Sequence, residues 1–73
     1  MATKKIQIIK NEEYITLNVL LKVEGIIQTG GMAKSFLADS PVIVNGRNEN
    51  RRGRKLYPGD LIEINSITYE IVK

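Results

Sequence analysis

The spacing of the apolar residues changes at Pro41, and this change most constrains the fold. Before Pro41, the segments TLNVLLKVE (residues 16–24) and 32–38 carry apolar residues at i, i+3 and i+4, which form one helix face. After Pro41, apolar and polar residues alternate with the period of a strand. The sequence therefore predicts an α+β fold, in which a short helix–turn–helix pair packs on a small antiparallel sheet. The residues expected to be mostly buried are Leu17, Leu20, Leu21, Phe36, Leu37, Val42, Val44, Leu56, Ile62 and Ile64.

Cap and turn residues predict where these elements begin and end. Thr16 and Thr29 are predicted helix N-caps, and Gly25 is a predicted helix end. Asn45-Gly46 is typical of a type I′ hairpin and Pro58-Gly59 of a type II turn. The predicted strands cover residues 4–9, 42–44, 47–49, 61–64 and 67–71.

The length and composition exclude several classes of protein. The 73 residues form one small domain, residues 1–73, which buries only about 60% of its unfolded surface. Cysteine and histidine are absent, so we expect no metal site and no cofactor. For the same reason we do not expect an enzyme that acts on a small-molecule substrate. No apolar run is long enough to span a membrane and no signal-peptide core is present, so we expect a cytoplasmic protein. We also expect a monomer. Tryptophan is absent and aromatic residues are few, which argues against a stacking platform for single strands.

The net charge of +3 arises in one short stretch, because the rest of the chain is nearly neutral. Within nine residues the stretch carries one acid, Glu49, and five cations: Arg47, Arg51, Arg52, Arg54 and Lys55. A local basic patch on a nearly neutral body favours contact with a polyanion, and two turns frame this one. The alternatives are a solvated arginine loop and an adaptor that grips an acidic protein partner through the same loop.

Three further features have both a functional and a structural interpretation. Gly30-Gly31 opens the second helix, where exposed amides suit a phosphate, although the glycines could serve only a tight turn. Lys34, one helical turn further on, either extends the basic face or is simply solvated. Tyr57 either stacks on a base or covers Leu56, and we favour the cover.

The order of these motifs resembles a known family. Helix, short link, helix, VIVNG at 42–46, a basic stretch and PGDLIEI at 58–64 resemble the RNA-binding domain named after ribosomal protein S-four, the alpha-L motif. The resemblance covers residues 15–64, and the string from Thr29 to Asp60 is closest to the free-standing YaaA/YbcJ-type small bacterial proteins. It implies a non-catalytic protein that binds structured ribosomal or other stable RNA through the two helices and the hairpin loop.

The resemblance also implies which residues meet the RNA. Carried over by position, they are Thr29, Gly30, Lys34, Arg47, Arg51, Arg52 and Lys55, to which the charge and glycine patterns add Gly31 and Arg54. Many members of the family carry an arginine where this chain has Gly30. The basic cluster at residues 51–55 is expected to move the centre of binding towards the loop.

Overall fold

The computed structural model describes residues 2–9 and 11–73, which form two helices and seven strands in this part of the chain. In chain order the elements are β1 (Ala2–Gln7), β2 (Ile15–Thr16), α1 (Leu17–Val23), α2 (Gly30–Asp39), β3 (Val42–Val44), β4 (Arg47–Glu49), β5 (Lys55–Leu56), β6 (Leu61–Ile64) and β7 (Ile67–Val72). The α+β class is therefore confirmed, and the change from helix to strand falls at Pro41 as predicted.

The main sheet has five strands in the order β1-β7-β6-β3-β4, and β2 and β5 form a separate two-stranded sheet. The β3–β4, β3–β6 and β6–β7 pairs are antiparallel, as expected. The first strand differs from expectation, because β1 pairs with β7 in parallel and makes the main sheet mixed. It also begins earlier than predicted and ends at Gln7, although the Ile8 amide still donates to the Val72 carbonyl at 2.8 Å.

The predicted core is largely confirmed. Nine of the ten residues expected inside are buried, and Phe36 is partly buried against the same cluster. The cluster also contains Ala33 and six residues that the core prediction left out: Ile6, Ile8, Ile15, Ile27, Tyr69 and Ile71. Half of these six residues lie on the terminal strands β1 and β7, namely Ile6, Tyr69 and Ile71, so both ends of the chain contribute to the core.

Both helices end where their flanking residues predict. In α1, the Gly25 amide donates to the Lys22 carbonyl at 3.0 Å and the Ile26 amide to the Leu21 carbonyl at 2.9 Å, which is the Schellman pattern. Gly25 has φ 73°, as this cap requires. Helix α2 begins at Gly30, two residues earlier than predicted, and the Thr29 hydroxyl makes no cap hydrogen bond. The helix ends at Asp39, before an extended Ser40 that precedes Pro41.

The hairpin between β3 and β4 has the predicted two-residue turn, with φ 52° at Asn45 and 83° at Gly46. The Asn45 side chain connects this turn to the Pro58-Gly59 turn. Its Oδ1 accepts from the Leu61 amide at 2.9 Å, and its Nδ2 donates to Asp60 Oδ1 at 3.1 Å. The two turns that frame the basic stretch are therefore joined directly.

Gly46→Val is expected to lower the free energy of unfolding by about 1–3 kcal/mol, because a β-branched residue strongly disfavours a left-handed φ. Apart from the two chain neighbours of Gly46, no described residue has an atom within 4 Å of a Cβ placed there, so the cost is conformational rather than steric. Gly53→Val is the matched control, since Gly53 has the same open space without a left-handed φ. Urea denaturation followed by circular dichroism should separate the two variants. Equal midpoints would contradict the assigned turn.

Candidate nucleic-acid interface

The backbone of the basic stretch is fixed to the beginning of helix α1. The carbonyl of Arg54 accepts from the Leu17 amide at 2.9 Å, and the carbonyl of Arg52 accepts from the Asn18 amide at 2.9 Å. The first amides of a helix have no partner within the helix, so these two carbonyls satisfy donors that would otherwise face water. The next amide, that of Val19, donates to the Thr16 hydroxyl at 3.3 Å. The arginines are therefore presented by an ordered backbone and not by a free loop.

Glu49 organises two of the arginines. Its side chain is only 8% exposed, and it accepts from the Arg51 side chain at 3.0 and 3.3 Å and from the Arg51 backbone amide at 3.1 Å. Arg54 Nη1 donates to the same carboxylate at 2.9 Å. The hydrogen bonds from the Arg51 side chain are the main cause that lowers the pKa of Glu49 to about 2. Burial opposes the shift, and the Arg51 amide and Arg54 add to it. Glu49 was not predicted to have this role.

The pairing with Glu49 leaves the cluster strongly positive. Five cations face one carboxylate between residues 47 and 55. Arg51 keeps 71% of its side chain exposed, and Arg54 keeps 35%. A guanidinium has five N–H donors, so Arg51 can bond to Glu49 and still offer donors to a second anion. Arg47, Arg52 and Lys55 are exposed.

Arg52 connects the basic stretch to the beginning of helix α2. Its Nη1 lies 3.5 Å from the Gly30 carbonyl oxygen. The Met32 amide donates to the Thr29 carbonyl at 3.1 Å, but the Thr29 hydroxyl does not cap this helix, so the Gly30 and Gly31 amides keep their capacity to bind an anion. Lys34 is exposed and lies four residues after Gly30, which puts it on the same side of the helix. The structure thus brings Thr29, Gly30 and Gly31 next to Arg52.

Two shallow grooves extend the cluster on either side of Arg51 and Arg54. One groove runs towards the hairpin and is also lined by Arg47 and Asn48. The other runs towards the Pro58-Gly59 turn and is also lined by Lys55 and Tyr57. Four cations of the stretch therefore line neighbouring surfaces: Arg47, Arg51, Arg54 and Lys55. Arg52 lies instead against the beginning of α2, and no contact links Lys34 directly to the other cations within the described residues.

Tyr57 packs against Tyr14, and the cover over Leu56 that was favoured from the sequence stays a prediction. Tyr57 is 45% exposed, while Leu56 beside it is fully buried. The ring packs at a tilt against Tyr14, with 5.5 Å between the ring centroids. Lys55 Nζ lies 5.1 Å from the centroid of the Tyr14 ring, a cation–π distance. The aromatic pair is therefore part of the basic surface.

Residues 2–9 and 11–73 contain neither a metal-binding cluster nor a membrane-spanning helix. No three His, Cys, Asp or Glu side chains come together there as a metal ion would require. Neither of the described helices is long and apolar enough to cross a membrane.

Comparison with known proteins gives two matches and one negative result. The sequence profile of the S4 domain matches residues 6–72, a range that includes β7 and extends beyond the residues 15–64 that carried the resemblance. The probable ribosome maturation protein RlbA of Bacillus subtilis (strain 168) is 58% identical over 52 residues, which cover 71% of this chain and 73% of that protein. No solved structure matches the chain.

Proposed function

Since this chain belongs to the S4 domain family, we propose that it is a non-catalytic RNA-binding protein with a ribosome-related role in the cytoplasm. The family match and the printed name of the Bacillus subtilis relative support the role. The observation that carries the proposal is the ordered basic cluster, whose backbone is bonded to α1 and whose Arg52 reaches the beginning of α2.

The proposed ligand is structured RNA, contacted mainly through its phosphates. An A-form helix presents phosphates and 2′-hydroxyls along a wide, shallow minor groove, so a surface of fixed charge can recognise it by shape. The cationic contacts would come from Arg47, Arg52 and Lys55, with the first-turn amides of α2 and Lys34 beside them. Few aromatic residues are needed for this mode of binding.

Glu49 supports this role by holding two arginines in place before the RNA arrives. Side chains that are already ordered lose less conformational entropy on binding, and this preserves affinity. Arg51 is the better placed of the two to reach a phosphate, because its guanidinium remains largely exposed. In this proposal Arg54 acts mainly by positioning, since it is less exposed and its Nε also donates to the Lys55 carbonyl at 3.3 Å.

Titration of a ribosomal RNA fragment at several salt concentrations tests the proposal. If about four cations contact phosphates, the logarithm of the affinity should fall with the logarithm of the salt concentration at a slope of roughly −3. Replacing Arg47 and Arg52 together with alanine should reduce the size of that slope by up to about 2 and weaken all RNA sequences alike. Neither side chain pairs with a carboxylate in the described structure, so we expect the fold to survive.

The matched control replaces Lys5 and Lys73 with alanine. It removes the same charge, but Lys5 lies on β1, at the opposite edge of the sheet from Arg47 on β4. The control should leave the salt slope almost unchanged. Absent or salt-independent binding by the unaltered protein would overturn the RNA proposal. Co-purification of an acidic protein that the double arginine variant loses would then favour an adaptor.

A further inference from the structure

We propose that the Tyr14–Tyr57 pair holds one unpaired base of the bound RNA. The protein would then prefer a duplex with a bulged nucleotide to an unbroken duplex. This inference rests on the proposed function and adds the feature of the RNA that is recognised. The basic cluster would hold the phosphates of the stem, while the exposed ring of Tyr57 would receive a base that has left the stack.

The exposed position of Tyr57 is fixed by the chain on both sides of it. Leu56 before it is fully buried and pairs with Ile15 in the β2–β5 sheet. The Tyr57 amide donates to Asp60 Oδ2 at 2.8 Å, and the Tyr57 carbonyl accepts from the Asp60 amide at 2.9 Å. The ring is thus attached to an ordered turn, and ordering it for a ligand costs little entropy.

The contacts of the two rings leave an aromatic surface open. The rings are tilted by 50° at a centroid distance of 5.5 Å, so they meet without covering each other face to face. Lys55 Nζ lies over one face of the Tyr14 ring, whereas Tyr57 keeps 45% of its surface in solvent. A base that stacks on Tyr57 would be supported from behind by Tyr14, which cannot withdraw far because Ile15 next to it is buried.

The groove beside Tyr57 has the charge that a nucleotide requires. Arg51, Arg54 and Lys55 line it, and Gly53 contributes no side chain that would fill it. Asp60 is the acid in this groove, and its two carboxylate oxygens accept from the Tyr57 amide and from Asn45 Nδ2. These hydrogen bonds direct its charge towards the turn. A base on Tyr57 would therefore have its own phosphates near cations.

A single exposed tyrosine is common on protein surfaces and does not by itself define a site. The combination of an aromatic pair, a cation on one ring and a groove lined by arginines is what points to a nucleotide. Stacking of one base on an aromatic side chain contributes about 1–3 kcal/mol, which corresponds to roughly 5-fold to 150-fold in affinity. Because Tyr57 is only about half exposed, we expect the low end, about 5-fold to 10-fold.

The test uses two RNA hairpins with identical stems, of which one carries a single bulged 2-aminopurine. The unaltered protein should bind the bulged hairpin about 5-fold to 10-fold more tightly and should quench the 2-aminopurine fluorescence, because stacking is what quenches it. Tyr57→Phe should keep both effects, since it keeps the ring. Tyr57→Leu should lose the quenching and should bind the two hairpins with equal affinity.

The outcomes separate this inference from the function on which it rests. Equal binding of the two hairpins by the unaltered protein, without quenching, overturns the bulge preference but leaves RNA binding intact. Binding of neither hairpin overturns both. The quenching by the unaltered protein needs no variant, so the test holds even if Tyr57→Leu does not fold. Quenching that persists in a folded Tyr57→Leu protein would assign the base to another surface.

Discussion

Leu21→Ala is expected to lower the free energy of unfolding by about 2–5 kcal/mol, because it leaves a cavity in a core that cannot fully collapse around it. Leu21 is completely buried in α1, and its carbonyl accepts from the amides that close the helix end. A domain of this size has a total stability of only about 4–11 kcal/mol. The loss is therefore a large part of the whole, and Leu37→Ala should act in the same direction from α2.

Urea denaturation at 25 °C, followed by circular dichroism, measures this effect. Val23→Ala is the control on the same helix, because Val23 is 64% exposed and its replacement should change the stability by no more than about 0.5 kcal/mol. A Leu21→Ala protein with the same midpoint as the parent would show that the helix faces are assigned wrongly.

The helix faces and the hairpin could be predicted from the sequence because their signals are local. The i, i+3, i+4 spacing in α1 needs only a few adjacent residues to identify a buried face. Asn45-Gly46 likewise requires two consecutive left-handed residues, whatever the rest of the chain does. The structure contains these predicted features because the tertiary packing favours the same local conformations as the local sequence does.

The partner of the first strand could not be predicted in the same way. Alternation of Ile6 and Ile8 with polar residues indicates a strand but carries no information about its neighbour. That neighbour is β7, at the other end of the chain, and the parallel pairing joins Ile6 to Ile71. Such a contact depends on how all intervening elements fold. It also explains why the core prediction omitted residues of both terminal strands.

The positive charge of the candidate site was predicted from the sequence, but the arrangement of its arginines around Glu49 was not. The density of cations identified the basic stretch, whereas the structural role of Glu49 was missed. A signal for it was present, because a two-residue turn at Asn45-Gly46 sets Glu49 opposite Val42. Residues paired across two strands lie on the same face of the sheet, and Val42 is in the core. A lone acid on that face among five cations would be expected to be buried and paired.

Glu49→Gln is expected to lower the free energy of unfolding at pH 7 by about 1–3 kcal/mol, since hydrogen bonds to charged groups contribute about that much. The carboxylate accepts from both Arg51 and Arg54, and a neutral amide would retain only part of this. Both arginines are in contact with solvent, at 71% and 35% exposure, so screening keeps the effect below that of a fully buried pair. Glu63→Gln, on the exposed face of β6, is the control and should change the stability little.

The effect of Glu49→Gln on stability should depend on pH, whereas a simple packing effect would not. The pKa of Glu49 lies at about 2 in the folded protein, below the ordinary value of 4.5 that applies to the unfolded chain. A lowered pKa stabilises the fold above the unfolded value, and the stabilisation is lost as the pH falls from about 5 towards 2. The difference in stability between the parent and Glu49→Gln should therefore shrink across this interval, because protonation makes the parent carboxyl neutral too.

Urea titrations at intervals of pH between 7 and 2 measure the difference directly. A difference that stays constant over the whole range would mean that Glu49 acts through its shape and not through its charge on Arg51 and Arg54.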